Sequence, residues 1–184
     1  VLDSLAVGAA GLAVSSTAKS YAQILGSNDR LNFAVIGLHS RAYAHLASLK
    51  ANEKHAKITH VCDVDSNTLH KFAGAVQQKF GEAPATDKDF RKILALKDVD
   101  AITIATPDHW HAPMAILGLQ AGKHVYVEKP CSHNPAEGEL LVEAQRKYGK
   151  HVQMGTQRRS SPVYIDVIKK IQDGLVGRAY YAKA

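Results

Sequence analysis

The stretch "NFAVIGLHSRAYAHL" (residues 32–46) decides the fold, because an apolar run meets a glycine and then a helix-prone segment. Dinucleotide-binding domains open in this way, and their fingerprint is G-x-G-x-x-G. Gly37 supplies the first glycine, whereas His39 and Ala42 stand where the second and third are expected. Alanine is a tolerated third residue, but His39 places a side chain where backbone should approach a phosphate. Taken alone, the loop is a weak match that a chance strand–turn–helix would also explain.

Further along the chain, apolar runs alternate with helix-prone segments. The runs "KITHVCD", "VDAITIATP", "KHVYVEKP" and "HVQMG" predict strands, and the segments between and after them predict helices. Strands that are apolar on both faces and separated by helices are typical of a parallel sheet covered on both sides. The sequence therefore predicts an α/β fold with a doubly wound parallel Rossmann sheet over residues 30–157.

Capping residues mark where the predicted helices begin and end. Gly81 is expected to end the helix over "SNTLHKFAGAVQQKF", and Asp87 to cap the start of the helix in "DKDFRKIL". Asn134 is expected to cap the next helix but one, with Pro135 at its first position and Glu137 completing a capping box. These signals locate the loops at the strand ends, where ligands of such sheets bind.

The composition and charge of the chain exclude some classes of function. The chain has 184 residues, is 46% hydrophobic and carries a formal net charge of +6. Its basic residues are scattered and form no block interleaved with aromatics, so we expect no nucleic-acid partner. The two cysteines, Cys62 and Cys131, are too few for a disulfide framework or a cysteine metal site, and we expect buried thiols.

The first 22 residues differ in composition from the rest of the chain. Residues 5–14, "LAVGAAGLAV", are apolar and uncharged but too short to span a bilayer, so we expect no membrane partner. Ser20-Tyr21-Ala22 then provides a small-x-small pattern of the kind signal peptidase cleaves. We expect residues 1–22 to be a signal-peptide remnant of a protein exported to the periplasm. The alternative is an N-terminal helix that packs on the domain of a cytoplasmic protein.

Asp63 strengthens the interpretation of the opening loop as a cofactor turn. It ends the strand after that loop, where a carboxylate can accept both hydroxyls of an adenosine ribose and repel a 2′-phosphate. This favours NAD over NADP. Arg41 argues the other way, because a nearby guanidinium can hold a phosphate. The cofactor-binding residues of this loop are then Gly37, Leu38, His39, Ser40 and Arg41.

The segment "TPDHWHAP" carries His109-x-His111, which invites a metal interpretation. Zinc needs at least three protein ligands, and no nearby pattern completes the set, so we expect no metal. His111 is better placed to begin a helix and to face a ligand in the cleft. Trp110 fits either core packing or a platform for a flat ligand.

Lys129 ends the strand in "VYVEKP". A lysine at this position is commonly a solvated surface residue. Beside a nicotinamide, however, it would hydrogen-bond a substrate hydroxyl and stabilise the alkoxide that develops during hydride transfer.

The ordered motifs "VIGLHSRA", "VCDVD", "TPDHWH", "VEKP" and "MGTQRRSSP" resemble the Gfo/Idh/MocA oxidoreductases from about residue 32 onward. The resemblance implies a Rossmann domain that binds NAD or NADP, and oxidation or reduction of a hydroxyl or carbonyl of a sugar, cyclitol or glycoside. It implies that Lys129 is the catalytic residue at the substrate and nicotinamide. It also implies cofactor contacts from Thr106, Pro107, His111 and Glu128, and substrate contacts from Arg158 and Arg159.

Members of this family continue into a second, antiparallel-sheet domain. Residues 158–184 are therefore expected to be the linking helix and the first strand, "GLVGRAYYAKA", of a truncated α+β substrate domain. We expect this chain alone to bind NAD without oxidising a sugar, and any homo-oligomer to form through the missing domain. Two other functions stay open: a glycoside-processing enzyme that uses NAD for transient oxidation, and a non-catalytic nucleotide-binding module.

Overall fold

A computed structural model describes residues 30–183, in which six parallel strands form one sheet. The strand order is β3-β2-β1-β4-β5-β6, so the winding reverses between β1 and β4. This is the doubly wound Rossmann-like sheet that the sequence predicts. The strands are β1 (Leu31–Ile36), β2 (Ala56–Cys62), β3 (Ala85–Asp87), β4 (Ala101–Ile104), β5 (His124–Glu128) and β6 (Val152–Gly155).

Helices follow the strands and cover the sheet. Short 3-10 turns occur at Asp108–Trp110 and Gln157–Ser160. The α-helices are α1 (Ala42–Ala51), α2 (Ser66–Phe80), α3 (Phe90–Leu94), α4 (His111–Gln120), α5 (Pro135–Tyr148) and α6 (Pro162–Gln172).

Each face of the sheet has its own apolar core. Val35 and Val61 pack against α1 and α2, whereas Ile36, Ile102 and Val127 pack against α3, α4 and α5. Neighbouring residues of a strand point to opposite faces, so Val35 and Ile36 enter different cores. This explains why the strands are apolar throughout instead of alternating with polar residues.

The helix that follows β3 begins later than the sequence predicts, and the expected cap at Asp87 is wrong. Asp89 caps α3, its carboxylate accepting from the Arg91 N–H at 3.0 Å. Asp87 instead ends β3 and accepts from the Asp89 N–H at 2.9 Å. A strand of three residues at the sheet edge is too short to show a hydrophobic period. The sequence therefore does not show where β3 ends, and either Asp87 or Asp89 could cap the start of α3.

Other predicted helix ends are confirmed. Gly81 follows α2 in the left-handed region, with φ of +82°. Asn134 accepts from the Glu137 N–H at 3.0 Å, and the Glu137 carboxylate accepts in return from the His133 N–H at 2.9 Å. The predicted capping box therefore forms, with its return bond displaced by one residue.

The elements predicted at the two ends of the chain have different outcomes. The predicted linking helix is α6, but residues 174–183 form turns and irregular backbone where a strand is expected. A single strand needs a neighbour for its hydrogen bonds, and none lies beside it within residues 30–183. The signal-like segment, residues 1–22, lies outside the described residues. Within the described part, no helix has the length and apolar character needed to cross a bilayer.

Candidate functional site

The site lies at the carboxyl edge of the sheet, and its first part is the loop after β1. Gly37 has φ of +80°, and its N–H donates to the Cys62 carbonyl at 2.9 Å. A Cβ at this position would lie 2.7 Å from the Thr106 nitrogen and 2.8 Å from the Ala105 carbonyl carbon. The glycine is therefore required by the close approach of the ends of β1 and β4, before any ligand is considered.

The three residues before α1 present free backbone donors. Among residues 30–183, the N–H groups of His39, Ser40 and Arg41 have no hydrogen-bond acceptor. They lie at the positive end of the α1 dipole, a combination that suits a phosphate. The His39 side chain is exposed, and its own N–H remains one of the three free donors. The departure from the glycine fingerprint thus leaves the backbone cradle in place.

Asp63 holds this loop in position. One carboxylate oxygen accepts from the Leu38 N–H at 2.8 Å, and the other from the Asp65 N–H at 3.0 Å. Each carboxylate oxygen has a second lone pair, and the side chain is only half-buried. Asp63 therefore keeps acceptor capacity for the ribose hydroxyls that the sequence assigns to it.

His111 begins α4 as predicted, and its ring lies between two backbone carbonyl oxygens. The ring is buried, with Nδ1 2.5 Å from the Pro130 carbonyl oxygen and Nε2 2.9 Å from the Thr106 carbonyl oxygen. The ring ties the loop after β4 to the segment after Lys129. The Thr106 hydroxyl is buried and has no partner among the described residues.

The neighbouring residues of this loop are open to solvent. Pro107 and His109 are exposed, and His109 lies beside Asp108, away from the buried ring of His111. Trp110 is 45% exposed, with its ring edge-on to Phe90 at 6.3 Å. The indole is therefore a half-exposed surface residue and not a core residue.

Lys129 meets the two predicted substrate arginines in one cavity. The cavity has a volume of about 500 Å³ and lies beyond the ends of β5 and β6. Parallel strands end at the same edge of a sheet, which is why residues from two separate motifs converge here. The lining residues are Lys129, Gly155, Thr156, Gln157, Arg158 and Arg159.

A polar cluster that the sequence does not predict lies next to this cavity. Arg41 Nε donates to Glu128 Oε1 at 2.7 Å, and His45 Nε2 lies 2.9 Å from the same oxygen. Glu128 and His45 are buried. Glu128 and Arg41 were each expected at the cofactor, but their side chains bind each other. The spacing of Arg41 and His45, one helical turn apart, is the only sequence signal for this cluster.

The charge state of the cluster follows from burial. Burial lowers the pKa of His45, against the opposite pull of the Glu128 carboxylate. Burial alone would raise the pKa of Glu128, but the hydrogen bonds from His45 and Arg41 outweigh it and hold the pKa below its usual value. His45 is thus a neutral donor through Nε2, and Arg41 is the cation that balances Glu128.

Acid should destabilise the domain through His45. Its pKa is lowered in the folded state, so the unfolded state takes up the proton first, and stability falls as pH drops below the unfolded value of about 6.5. Glu128, whose folded pKa is also lowered, adds a second loss below its unfolded value of about 4.3. We expect His45→Gln to flatten the fall of Tm between pH about 7 and about 5, the window set by the unfolded value of histidine.

Thermal melts across this pH range test the prediction. His70→Gln, on the exposed face of α2, is the matched control and should follow the unmodified protein. An unchanged pH slope in His45→Gln would contradict the assignment.

Comparison with known proteins agrees with this geometry. The model of an oxidoreductase family with an NAD-binding Rossmann fold, GFO_IDH_MocA, matches residues 31–156. The chain belongs to the Gfo/Idh/MocA oxidoreductase family. The matched region contains the loop, Asp63, Lys129 and the cluster around Glu128, whereas Arg158 and Arg159 follow directly after it.

Individual relatives within the Gfo/Idh/MocA family cover most of this chain. The glycosyl hydrolase family 109 protein of Saccharopolyspora erythraea is 31% identical over 159 residues, 84% of this chain and 34% of that protein. The scyllo-inositol 2-dehydrogenase (NAD(+)) of Bacillus subtilis is 30% identical over 151 residues, 82% of this chain and 42% of that protein. The WlbA dehydrogenase from Bordetella pertussis, solved with NADH and UDP-GlcNAcA, has a TM-score of 0.72 at 26% identity and covers 82% of this chain and 45% of its own. The chain therefore spans less than half the length of each of these relatives.

The residues of the site fit a dinucleotide. Free amides before α1 suit the pyrophosphate, and Asp63 has acceptors left for ribose hydroxyls. The buried Thr106 hydroxyl, which has no partner within the described residues, supplies a polar group beneath the same cleft.

Within residues 30–183, no group of three His, Cys, Asp or Glu side chains is arranged to hold a metal ion. Of the cysteines, Cys62 is buried and Cys131 half-buried, and burial together with nearby carboxylates raises the pKa of Cys62 to about 12.

Proposed function

We propose that the protein is an NAD-dependent oxidoreductase that acts on a hydroxyl or carbonyl of a sugar, cyclitol or glycoside. The observation that carries this proposal is the cavity in which Lys129 meets Arg158 and Arg159, beside a loop that fits a dinucleotide. Two relatives support it: one is an NAD-dependent inositol dehydrogenase, and another was solved with NADH and a nucleotide sugar.

Each residue has a role under this proposal. NAD, when bound, accepts the hydride from the substrate carbon. The amides of residues 39–41 bind its pyrophosphate, and Asp63 accepts from the adenosine ribose. In the oxidation Lys129 accepts the hydroxyl proton of the substrate as hydride leaves the carbon. In the reverse direction its ammonium stabilises the negative charge that grows on the carbonyl oxygen and returns the proton. Arg158 and Arg159 orient the polar groups of the substrate, with Arg158 held over the Tyr164 ring at 5.7 Å.

The most direct experiment for this function follows NADH formation by the complete protein. A panel of sugars, cyclitols and nucleotide sugars is offered with NAD, and NADH absorbance is recorded. We expect NADH to accumulate together with an oxidised product for at least one member of the panel. NAD binding without any turnover of the panel would instead favour a non-catalytic nucleotide-binding module.

A second function has specific support, because a relative at 31% identity is a glycosyl hydrolase family 109 protein. In an enzyme that uses NAD for transient oxidation, the redox steps cancel over one cycle. Release of a free sugar from a glycoside without net NADH would favour this function. Net NADH with an intact glycosidic bond would exclude it.

The cofactor preference leads to a prediction for Asp63. We expect Asp63→Ala to erode a preference for NAD over NADP, because the carboxylate both accepts from ribose hydroxyls and repels a 2′-phosphate. Loss of these two effects should change the ratio of the two Kd values by about tenfold, the equivalent of about 1.4 kcal/mol. Calorimetric titration of the variant with both dinucleotides measures the ratio.

Asp65→Ala is a suitable control for that titration, since Asp65 is an exposed carboxylate two residues away that caps α2. Its ratio should stay that of the unmodified protein. An unchanged ratio in Asp63→Ala would remove Asp63 from the account of cofactor choice.

Export to the periplasm, from the signal-like residues 1–22, and homo-oligomer formation through a second domain stay predictions. Fractionation of the producing cells with N-terminal sequencing of the mature protein tests the first. Sedimentation of the complete protein tests the second.

A further inference from the structure

We propose that Glu128 is a specificity-determining residue for the cofactor, because it binds Arg41 and so keeps a guanidinium away from the ribose side of the dinucleotide loop. The inference rests on the proposed NAD-dependent function and deepens it. It assigns cofactor choice to two carboxylates, Asp63 at the ribose and Glu128 at the carboxyl end of β5, where the sequence sets Asp63 against Arg41.

Arg41 lies where it would otherwise favour NADP. It directly precedes α1, in the loop whose Leu38 N–H is held by the Asp63 carboxylate. A nearby arginine accommodates the 2′-phosphate in NADP-binding proteins of this architecture. Position and residue type therefore predict a phosphate contact, and the structure shows a different partner for the side chain.

The side chain of Arg41 is held on the opposite side of the loop. Its Nε donates to Glu128 Oε1 at 2.7 Å. The Gln157 amide lies against the same guanidinium: with its oxygen towards Arg41 it accepts from Nη2 at 3.3 Å, and its nitrogen donates to the Gly155 carbonyl at 2.7 Å. Arg41 thus contacts the ends of β5 and β6, although it belongs to the loop after β1.

Leaving Glu128 would be unfavourable for Arg41. The Glu128 side chain is 5% exposed, whereas that of Arg41 is 39% exposed, so the carboxylate is the buried partner. His45 is buried and neutral, and it contributes a hydrogen bond but no charge. Movement of Arg41 to a phosphate would therefore strand a buried carboxylate without a counter-charge, which is costly.

Space for this carboxylate is provided by Gly155 on β6. A Cβ at Gly155 would lie 2.8 Å from the Tyr126 hydroxyl and 3.1 Å from the Glu128 carboxyl carbon. Tyr126 and His45 pack edge-on at 5.3 Å and close the cluster from the other side. The position of Glu128 is thus fixed on three sides.

The experiment removes the charge of Glu128 and follows the binding of both dinucleotides. Glu128→Gln keeps the shape of the side chain, and Arg41 becomes free to pair with a phosphate. We expect NADP affinity, relative to NAD, to rise by about tenfold, the equivalent of one charge-assisted contact. In Glu128→Gln/Arg41→Ala the gain should disappear, because the released guanidinium is its source.

Controls separate this effect from loss of structure or of one negative charge. Glu143→Gln, at an exposed position on α5, removes the same charge and should leave the ratio unchanged. If Glu128→Gln does not fold by circular dichroism, Glu128→Asp is used, which keeps the charge but shortens the side chain, and an intermediate rise is expected.

The outcomes distinguish the inference from the function on which it rests. If the unmodified protein binds NAD and the NADP-to-NAD ratio does not move in Glu128→Gln or Glu128→Asp, the inference is wrong and the proposed function stands. A gain that persists in the double variant also overturns it. If the unmodified protein binds neither dinucleotide, the proposed function fails and this inference falls with it.

Discussion

Replacing Lys129 by alanine in the complete protein is expected to lower kcat by about 10²–10³ while the Kd for NAD changes little. The ammonium lies in the cavity at the ends of β5 and β6, next to two arginines. Addition of hydride to the carbonyl form of the substrate places negative charge on its oxygen. The oxidation passes through the same transition state, so the contribution of the ammonium is largest there. Under the proposed function, NAD is bound mainly by the loop after β1 and by Asp63, which the substitution does not touch.

Paired measurements test this expectation. Turnover is measured under NAD saturation, and NAD binding is measured by calorimetry. Lys71→Ala, an exposed lysine on α2, is the control for loss of a positive charge. Turnover of Lys129→Ala close to that of the unmodified protein would contradict the catalytic role, and so would a loss of NAD binding as large as the loss of turnover.

Gly37→Ala is expected to lower the free energy of unfolding by about 2–5 kcal/mol, from left-handed backbone strain and overpacking together. The backbone at Gly37 has φ of +80°, and a Cβ would lie 2.7 Å from the Thr106 nitrogen. The colliding atoms belong to the backbone at the end of β4, so no side-chain rotation relieves the contact. Domains of this size are stable by about 5–15 kcal/mol, so a loss at the upper end would leave much of the protein unfolded.

Urea unfolding followed by circular dichroism measures this change. Gly74→Ala is the matched control, because Gly74 lies exposed within α2 and a Cβ there meets nothing within 4 Å. That variant should be more stable by about 0.5–1 kcal/mol, the usual gain in a helix interior. Equal stabilities for the two alanine variants would show that the end of β4 moves aside more readily than we infer.

Much of the fold follows from sequence, because its strands are apolar on both faces and its helices have strong caps. Asn134 with Glu137 shows this, since the bonds of a capping box are local and therefore visible in sequence. The strand β3 was missed because three residues at an edge carry no period. Asp87 was then assigned to the cap that Asp89 forms, two residues later.

For the candidate site too, what could be predicted depends on whether the contacts are local or distant in the sequence. The roles of Lys129 and the two arginines follow from the resemblance to the family. Their meeting in one cavity agrees with it, because each follows a parallel strand and such strands end at one edge. The pairing of Arg41 with Glu128 is not predicted, since it joins the loop after β1 to β5, and β1 and β5 are not neighbours in the sheet. His45 has no sequence signal of its own, because a histidine on a helix face fits a buried or an exposed position equally well.

The most direct test of the central claim is a calorimetric titration of NAD into the unmodified protein, with NADP titrated in parallel. The account predicts one NAD per chain and weaker binding of NADP, because Asp63 repels a 2′-phosphate and Glu128 holds Arg41 away from it. No binding of NAD, or binding of NADP as tight as that of NAD, would contradict it.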